Sequence, residues 1–160
     1  MKTLFLLASV MAVFFSSGAI TSQAQTLPAK VRTYLTNNYS GWKQSSVAIG
    51  CYASFKKSVV AGDFDSNGRR DYAVKFIYGR KGYILAFLEK GGDYKPYLLE
   101  SYSSASEMKS EGFSIGRKGE RIENEEGDVY YLKDDSPFIG PCESDAGGFL
   151  SFRKGDFKPL

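Results

Sequence analysis

The residues of this sequence whose types and spacing could do chemistry are concentrated in one acidic stretch. Residues 61–74 read Ala-Gly-Asp-Phe-Asp-Ser-Asn-Gly-Arg-Arg-Asp-Tyr-Ala-Val. Counted from the first aspartate, oxygen-bearing side chains stand at positions 1, 3, 5 and 9, and glycine stands at position 6. Calcium takes six to eight hard oxygen ligands in forgiving geometry. The side chains that this stretch offers are those of Asp63, Asp65, Asn67 and Asp71.

The spacing of these residues predicts a loop that closes around one point. Alternate residues of a tightly curled loop direct short side chains inward, and Gly68 permits the bend with a positive φ. Arg69, at position 7, would add its backbone carbonyl while its side chain points outward. A polar turn held by its own side-chain hydrogen bonds is the alternative. It explains the composition but not the regular spacing, and three clustered carboxylates repel one another without a cation. We therefore predict a bound calcium ion.

The loop differs from a helix-flanked EF-hand, because Val74 stands at position 12, where that motif needs a bidentate glutamate. Its flanks read as strands, and it resembles the calcium loop of the FG-GAP/VCBS family. The matching segments are Gly62-Asp63-Phe64 and Asp71-Tyr72-Ala73-Val74. That family stacks several copies as propeller blades, whereas this chain has one copy and is too short for a propeller. The resemblance implies, as calcium ligands, Asp63, Asp65, Asn67, Asp71 and, through its carbonyl, Arg69.

The elements that must position this loop are one helix and a series of strands. Leu27-Pro28 opens a helix, because proline is tolerated in the first turn and apolar residues follow at helical spacing, and Gly41 ends it. Strands then alternate with short glycine turns, which predicts an antiparallel meander. We expect an α+β fold that is mainly β, with one N-terminal helix before an antiparallel meander or blade-like sheets. The predicted strands are 58–62, 71–78, 83–88, 97–100, 129–132, 138–142 and 148–152.

The first 24 residues read as a signal peptide. Lys2 precedes an apolar run from Leu4 to Ile20, and Ser22-Gln23-Ala24 offers small residues at both positions that a signal peptidase reads. The alternative is a retained membrane anchor. We expect cleavage after Ala24, no membrane insertion afterwards, and a single calcium-stabilised domain of residues 25–160 in the periplasm or the medium.

The two cysteines, Cys51 and Cys142, both lie in the predicted domain. An even number of cysteines in an exported chain favours a disulfide. The bridge would close a loop of about 90 residues, worth on the order of 4 kcal/mol in the chain-entropy model. Two buried free thiols are the alternative.

Composition excludes several kinds of function. The net charge is only +3, and the basic residues form isolated pairs, so nothing favours nucleic acid as a partner. Histidine, the commonest general base, is absent from the sequence, and neither a phosphate loop nor a nucleophile elbow is present. Paired carboxylates could still make a small glycosidase. The candidates for that chemistry are Glu120, Glu123, Glu125, Glu126, Glu143 and Asp145.

These observations predict an exported calcium-binding domain with a binding or structural role and no catalytic residues. Its partner would be an unidentified protein or glycan. The first alternative is a secreted inhibitor or adhesion-type module that uses aromatic and charged loops against a protein. The second is a small carbohydrate-active enzyme that uses the carboxylates named above.

Overall fold

Two α-helices, two larger antiparallel sheets and a two-stranded ribbon make up the protein, as a computed structural model describes it for residues 26–45, 50–123, 127–142 and 147–160. The mainly β, α+β fold expected from the sequence is confirmed. The predicted signal peptide lies outside the described residues. Within the ranges given, no helix has both the length and the apolar character that crossing a membrane requires.

The first sheet contains five strands, of which β2 to β5 form the predicted meander. Each consecutive pair of β2 to β5 is antiparallel, and β1 pairs with β3 beside β2. The strands β4 and β5 are longer than the sequence pattern indicated, and their turn places Gly91 and Gly92 at positive φ. The strands are β1 (Lys43–Gln44), β2 (Val59–Gly62), β3 (Asp71–Tyr78), β4 (Lys81–Lys90) and β5 (Asp93–Tyr102).

The N-terminal helix, α1 (Ala29–Asn38), covers one face of the first sheet. Its residues Val31 and Leu35 are fully buried, as the helical spacing of apolar residues predicts. They share a core cluster with Phe76 and Phe87 of the sheet. Burial of this apolar stripe, rather than a polar cap, fixes the helix, since no side chain caps its N-terminus.

The second sheet has four strands in the order β11-β10-β9-β6, and β7 and β8 form a separate ribbon. A short helix, α2 (Ala105–Lys109), joins the two sheets and is capped by the Ser104 hydroxyl. These strands are β6 (Glu111–Gly116), β7 (Arg121–Glu123), β8 (Val129–Tyr131), β9 (Ser136–Pro141), β10 (Gly148–Arg153) and β11 (Asp156–Pro159).

The main core cluster lies where residues of both sheets meet. The first sheet contributes Ala73 and Ile84, the second contributes Phe113, and Phe64 of the acidic loop packs among them. All four are fully buried. Phe64, which follows Asp63 in the loop, is therefore fixed in the core and limits how far the loop can move.

Two segments in the second half of the chain are each held to another segment. The described residues of the charged segment 117–123 are mostly exposed to solvent, and within it Arg121–Glu123 pairs with Val129–Tyr131 as the β7–β8 ribbon. The cysteines form the predicted disulfide, with the Cα atoms of Cys51 and Cys142 4.4 Å apart. This bridge attaches a 3-10 turn, Ala53–Phe55, to the end of β9.

Candidate metal centre

The acidic loop is the connection between two paired strands. Strand β2 ends at Gly62, β3 begins at Asp71, and these two residues are partners in the antiparallel ladder. The pairing brings the two ends of the loop together, so Asp63 and Asp71 meet although seven residues separate them in sequence. Both flanks of the loop are strands, as predicted.

Three carboxylates of the loop converge on one point. One oxygen each from Asp63, Asp65 and Asp71 can be chosen so that all three lie within 4.8 Å of one another. Two oxygens bound to one calcium ion can be at most about 5 Å apart, twice the metal–oxygen distance. The triad therefore fits the ligand spacing that a metal ion needs. Asp71 is fully buried and the other two are half-buried.

Backbone N–H groups hold the loop in its curled shape. The carboxylate of Asp63 accepts hydrogen bonds from the N–H groups of Asn67 and Gly68, at 3.0 and 2.9 Å. Asp65 accepts a longer one from Asn67, at 3.3 Å. Gly68 has φ +77° and Ser66 has φ +57°. The predicted bend is confirmed at Gly68, while Ser66 adopts the left-handed conformation without the freedom of glycine.

Asp71 is the buried end of the site. Its two carboxylate oxygens accept hydrogen bonds from the N–H groups of Phe64 and Glu89, at 2.7 and 2.8 Å. Burial raises the pKa of Asp71 from 3.8 to about 6; the two N–H donors lower it, and the charges of Asp65 and Asp63 raise it again. A cation among the three carboxylates would oppose this rise, because it favours the charged form.

The remaining predicted ligands, Asn67 and Arg69, lie in the loop. Their side chains form hydrogen bonds and an ion pair with other residues. The side-chain oxygen of Asn67 accepts the Arg69 N–H at 2.7 Å, and its amide nitrogen donates to the Glu89 carbonyl at 3.0 Å. The Arg69 guanidinium points outward, as expected, and pairs with the Glu89 carboxylate at 2.9 Å. A contribution from the Asn67 oxygen and the Arg69 carbonyl to metal binding stays a prediction.

The contact between this loop and the second sheet was not predicted from the sequence. Asp135, just before β9, accepts hydrogen bonds from the N–H groups of Asp63 and Lys118, at 3.3 and 3.0 Å, and pairs with Arg117 at 3.0 Å. Burial alone would raise the pKa of Asp135, but these donors outweigh it and hold that pKa below its usual value. No pattern in the sequence marks Asp135, because its partners are distant in the chain.

Asp134 forms a second contact with the loop, beside the contact of Asp135, and both contacts are called tethers below. The Ser66 hydroxyl, at the tip of the loop, donates a hydrogen bond to the Asp134 carboxylate. A Cβ atom added to Gly62 would lie 2.5 Å from an Asp135 carboxylate oxygen and 2.9 Å from a methyl carbon of Ile115. A larger side chain at the end of β2 would displace the second sheet. The close approach of the two segments therefore requires glycine at this position.

Two of the carboxylates considered for glycoside hydrolysis lie away from the acidic loop. Glu120 and Glu123 line a separate groove and take no part in the loop. Glu120 accepts the Arg117 N–H at 2.8 Å, and Glu123 pairs with Arg121 at 2.7 Å. The other four candidates, Glu125, Glu126, Glu143 and Asp145, fall outside the described residues.

Comparison with known proteins identifies no relative of this chain. No protein-family model, curated protein or solved structure matches the chain. The resemblance to the FG-GAP/VCBS loop accordingly rests on the residues from Gly62 to Val74 alone, and it stays a prediction.

Proposed function

We propose that the loop from Asp63 to Asp71 binds one calcium ion, and that the protein is an exported domain stabilised by this ion. Its role is binding or structural rather than catalytic. The observation that carries the proposal is the convergence of three carboxylates within 4.8 Å of one another around a fully buried Asp71. Such a cluster is unfavourable without a cation and favourable with one.

Calcium is the ion that fits these donors best. The side chains of Asp63, Asp65 and Asp71 all offer hard oxygens, and the sequence contains no histidine. Both cysteines are in the disulfide, so no thiolate is available for zinc. Magnesium demands near-ideal octahedral geometry and keeps several waters, whereas calcium accepts the irregular arrangement of a flexible loop. Waters and backbone carbonyls would complete the coordination.

The ion would act mainly on stability. It would join the β2 end of the loop at Asp63 to the β3 end at Asp71, and it would lower the repulsion among the carboxylates. Because Asp135 and Asp134 bind the same loop, the ion would also strengthen the contact between the two sheets. Binding to the folded state alone raises stability by mass action.

The proposed location follows from the disulfide and the signal peptide. Disulfides persist in oxidising compartments, and this one joins residues 91 positions apart. A leader of residues 1–24 would take the chain there. Extracytoplasmic calcium would then keep even a weak site filled.

Thermal unfolding with calcium and with excess EGTA tests the proposal. At a calcium concentration 100-fold above the dissociation constant, binding adds about 2.7 kcal/mol, which corresponds to a rise of roughly 5–20 °C in the midpoint. Asp65→Ala should lose most of this calcium-dependent rise. Asp156→Ala is the matched control, because Asp156 is an exposed aspartate at the start of β11 and should keep the full rise. Coincident curves for the unmodified protein in calcium and in EGTA would refute calcium binding.

A further inference from the structure

A groove of about 970 Å³ lies over the second sheet, and none of its lining residues belongs to the acidic loop. Ser114 and Ile115 of β6 line one side of the groove, which is called its floor below. On that strand Phe113 and Ile115 pack in the core cluster, so Gly112, Ser114 and Gly116 occupy the opposite face. A volume of this size is in the range of small-ligand sites.

The glycines of β6 let aromatic rings approach the floor closely. A Cβ atom at Gly112 would lie 2.9 Å from the Cβ of Phe55, and one at Gly116 would lie 2.4 Å from a ring carbon of Phe149. The two rings therefore sit directly against the strand on either side of Ser114. These rings fill the space above the two glycines, and Ser114 lies between the glycines on the same face of the strand.

Ser114 provides an observation that is independent of this small-residue pattern. It is only 9% exposed, it lines the groove, and its hydroxyl has no hydrogen-bond partner among the described residues. Its hydroxyl oxygen remains open to the groove, so a ligand that brings a hydrogen-bonding group to the floor can bond to it in place of water.

The walls of the groove are aromatic. The Phe55 and Phe138 rings stack with centroids 5.0 Å apart and an angle of 15° between their planes, and Phe149 packs 5.1 Å from Phe138. From the β7–β8 ribbon, Ile122 and Tyr130 line the opposite side. Such walls favour a ligand with flat C–H faces.

Among the described residues that line the groove, the charges are balanced. Its lining includes the cations Lys57 and Arg121 and the carboxylates Glu120 and Glu123. Arg121 and Glu123 pair with each other at 2.7 Å, and both are about half exposed. A charged ligand gains no net attraction here, but a neutral ligand with many hydroxyls can accept from the cations and donate to the carboxylates.

We propose that this groove binds a short neutral oligosaccharide. The C–H faces of the sugars would pack against Phe149 and Tyr130, and one hydroxyl would bond to Ser114. A fatty acid would leave the charges and the serine unsatisfied. An extended peptide would gain few backbone hydrogen bonds, because β6 pairs with β9 along one edge and its other edge already meets Lys56 at Phe113. The site is separate from the calcium loop and does not depend on the proposed function.

Titration of the protein with chitotetraose, cellotetraose and maltotetraose, each to about 10 mM, tests this proposal by amide chemical-shift mapping. Saturable shifts centred on Ser114 and Phe138 with at least one sugar are the expected result. The same titration in EGTA should show the same binding, which separates this site from the calcium loop. Absence of binding to all three sugars, or shifts centred outside the groove, overturns the proposal. Laurate, added as a fourth probe, overturns it if laurate alone occupies the groove.

Two neighbouring tyrosines of β8 provide matched variants. Tyr130→Ala removes a groove wall and should weaken sugar binding at least about fivefold. Tyr131→Ala removes a side chain that is 63% exposed and does not line the groove, so it should change affinity less than about twofold. Ser114→Ala, which keeps the volume nearly unchanged, should also weaken binding by about fivefold. Equal affinities for the two tyrosine variants would overturn the proposal even if all variants fold.

Discussion

The backbone N–H of Asp63 donates a hydrogen bond to the Asp135 carboxylate across a distance of 3.3 Å. This contact joins the first residue of the acidic loop to the segment before β9, and Asp135 also binds Arg117 and the Lys118 N–H. Arg117 in turn donates to the Ala61 carbonyl of β2 at 3.1 Å. The acidic loop is thus held by both sheets rather than by its own hairpin alone.

The close approach at Gly62 gives the first prediction. Gly62→Ala should lower the free energy of unfolding by about 1–3 kcal/mol, because the added methyl would overlap Asp135 and Ile115. Gly148→Ala is the control, since nothing lies within 4 Å of a Cβ atom there. Urea denaturation in calcium measures both variants. Equal losses for the two variants would show that the contact between Gly62 and Asp135 is not tight.

The tether at Asp135 gives the second prediction. Asp135→Asn removes a charge that pairs with Arg117 and accepts two N–H groups, so it should cost about 1–3 kcal/mol of stability. It should also weaken calcium binding severalfold, although Asp135 is not one of the three converging carboxylates. Isothermal calorimetry with calcium measures the affinity, and Asp156→Asn serves as the control. An unchanged affinity would mean that the tether does not position the loop.

The loop could be predicted from sequence because its information is local. The spacing of Asp63, Asp65 and Asp71 around Gly68 is contained in nine residues, and the strand ladder between Gly62 and Asp71 then closes it. The meander was predictable for the same reason, since each strand pairs with the next one along the chain. The fold class follows from these local patterns.

What could not be predicted depends on the packing of one sheet on the other. Alternation in β3 places Tyr72, Val74 and Phe76 on one face and suggests that Lys75, on the other face, meets solvent. The second sheet covers that face and leaves Lys75 fully buried. The roles of Asp135 and Ser114 were not predicted for the same reason, because these roles arise from contacts between segments far apart in the chain.

The disulfide gives the third prediction. Reduction, or the double change Cys51→Ser and Cys142→Ser, should lower the free energy of unfolding by about 4 kcal/mol, since the bridge spans 91 residues. Guanidinium denaturation with and without dithiothreitol measures the loss, and the serine variant should show no further response to the reductant. If reduction leaves the midpoint of the unmodified protein unchanged, the bridge does not contribute to stability.

Lys75 gives the last prediction, which concerns pH. Burial lowers its pKa from 10.5 to about 8 against a smaller opposing effect of the Glu111 charge, and its ammonium group donates to the Glu111 carbonyl. Between these two values the unfolded chain holds a proton that the folded chain has released, so stability should rise with pH, by about 1 kcal/mol per unit. Urea denaturation from pH 8 to about 9, where most side chains with the tyrosine pKa of about 10 remain protonated, measures the slope. Lys75→Met should abolish the rise, and Lys43→Met, an exposed lysine of β1, should keep it. A flat profile in the unmodified protein would show that Lys75 keeps its charge inside the core.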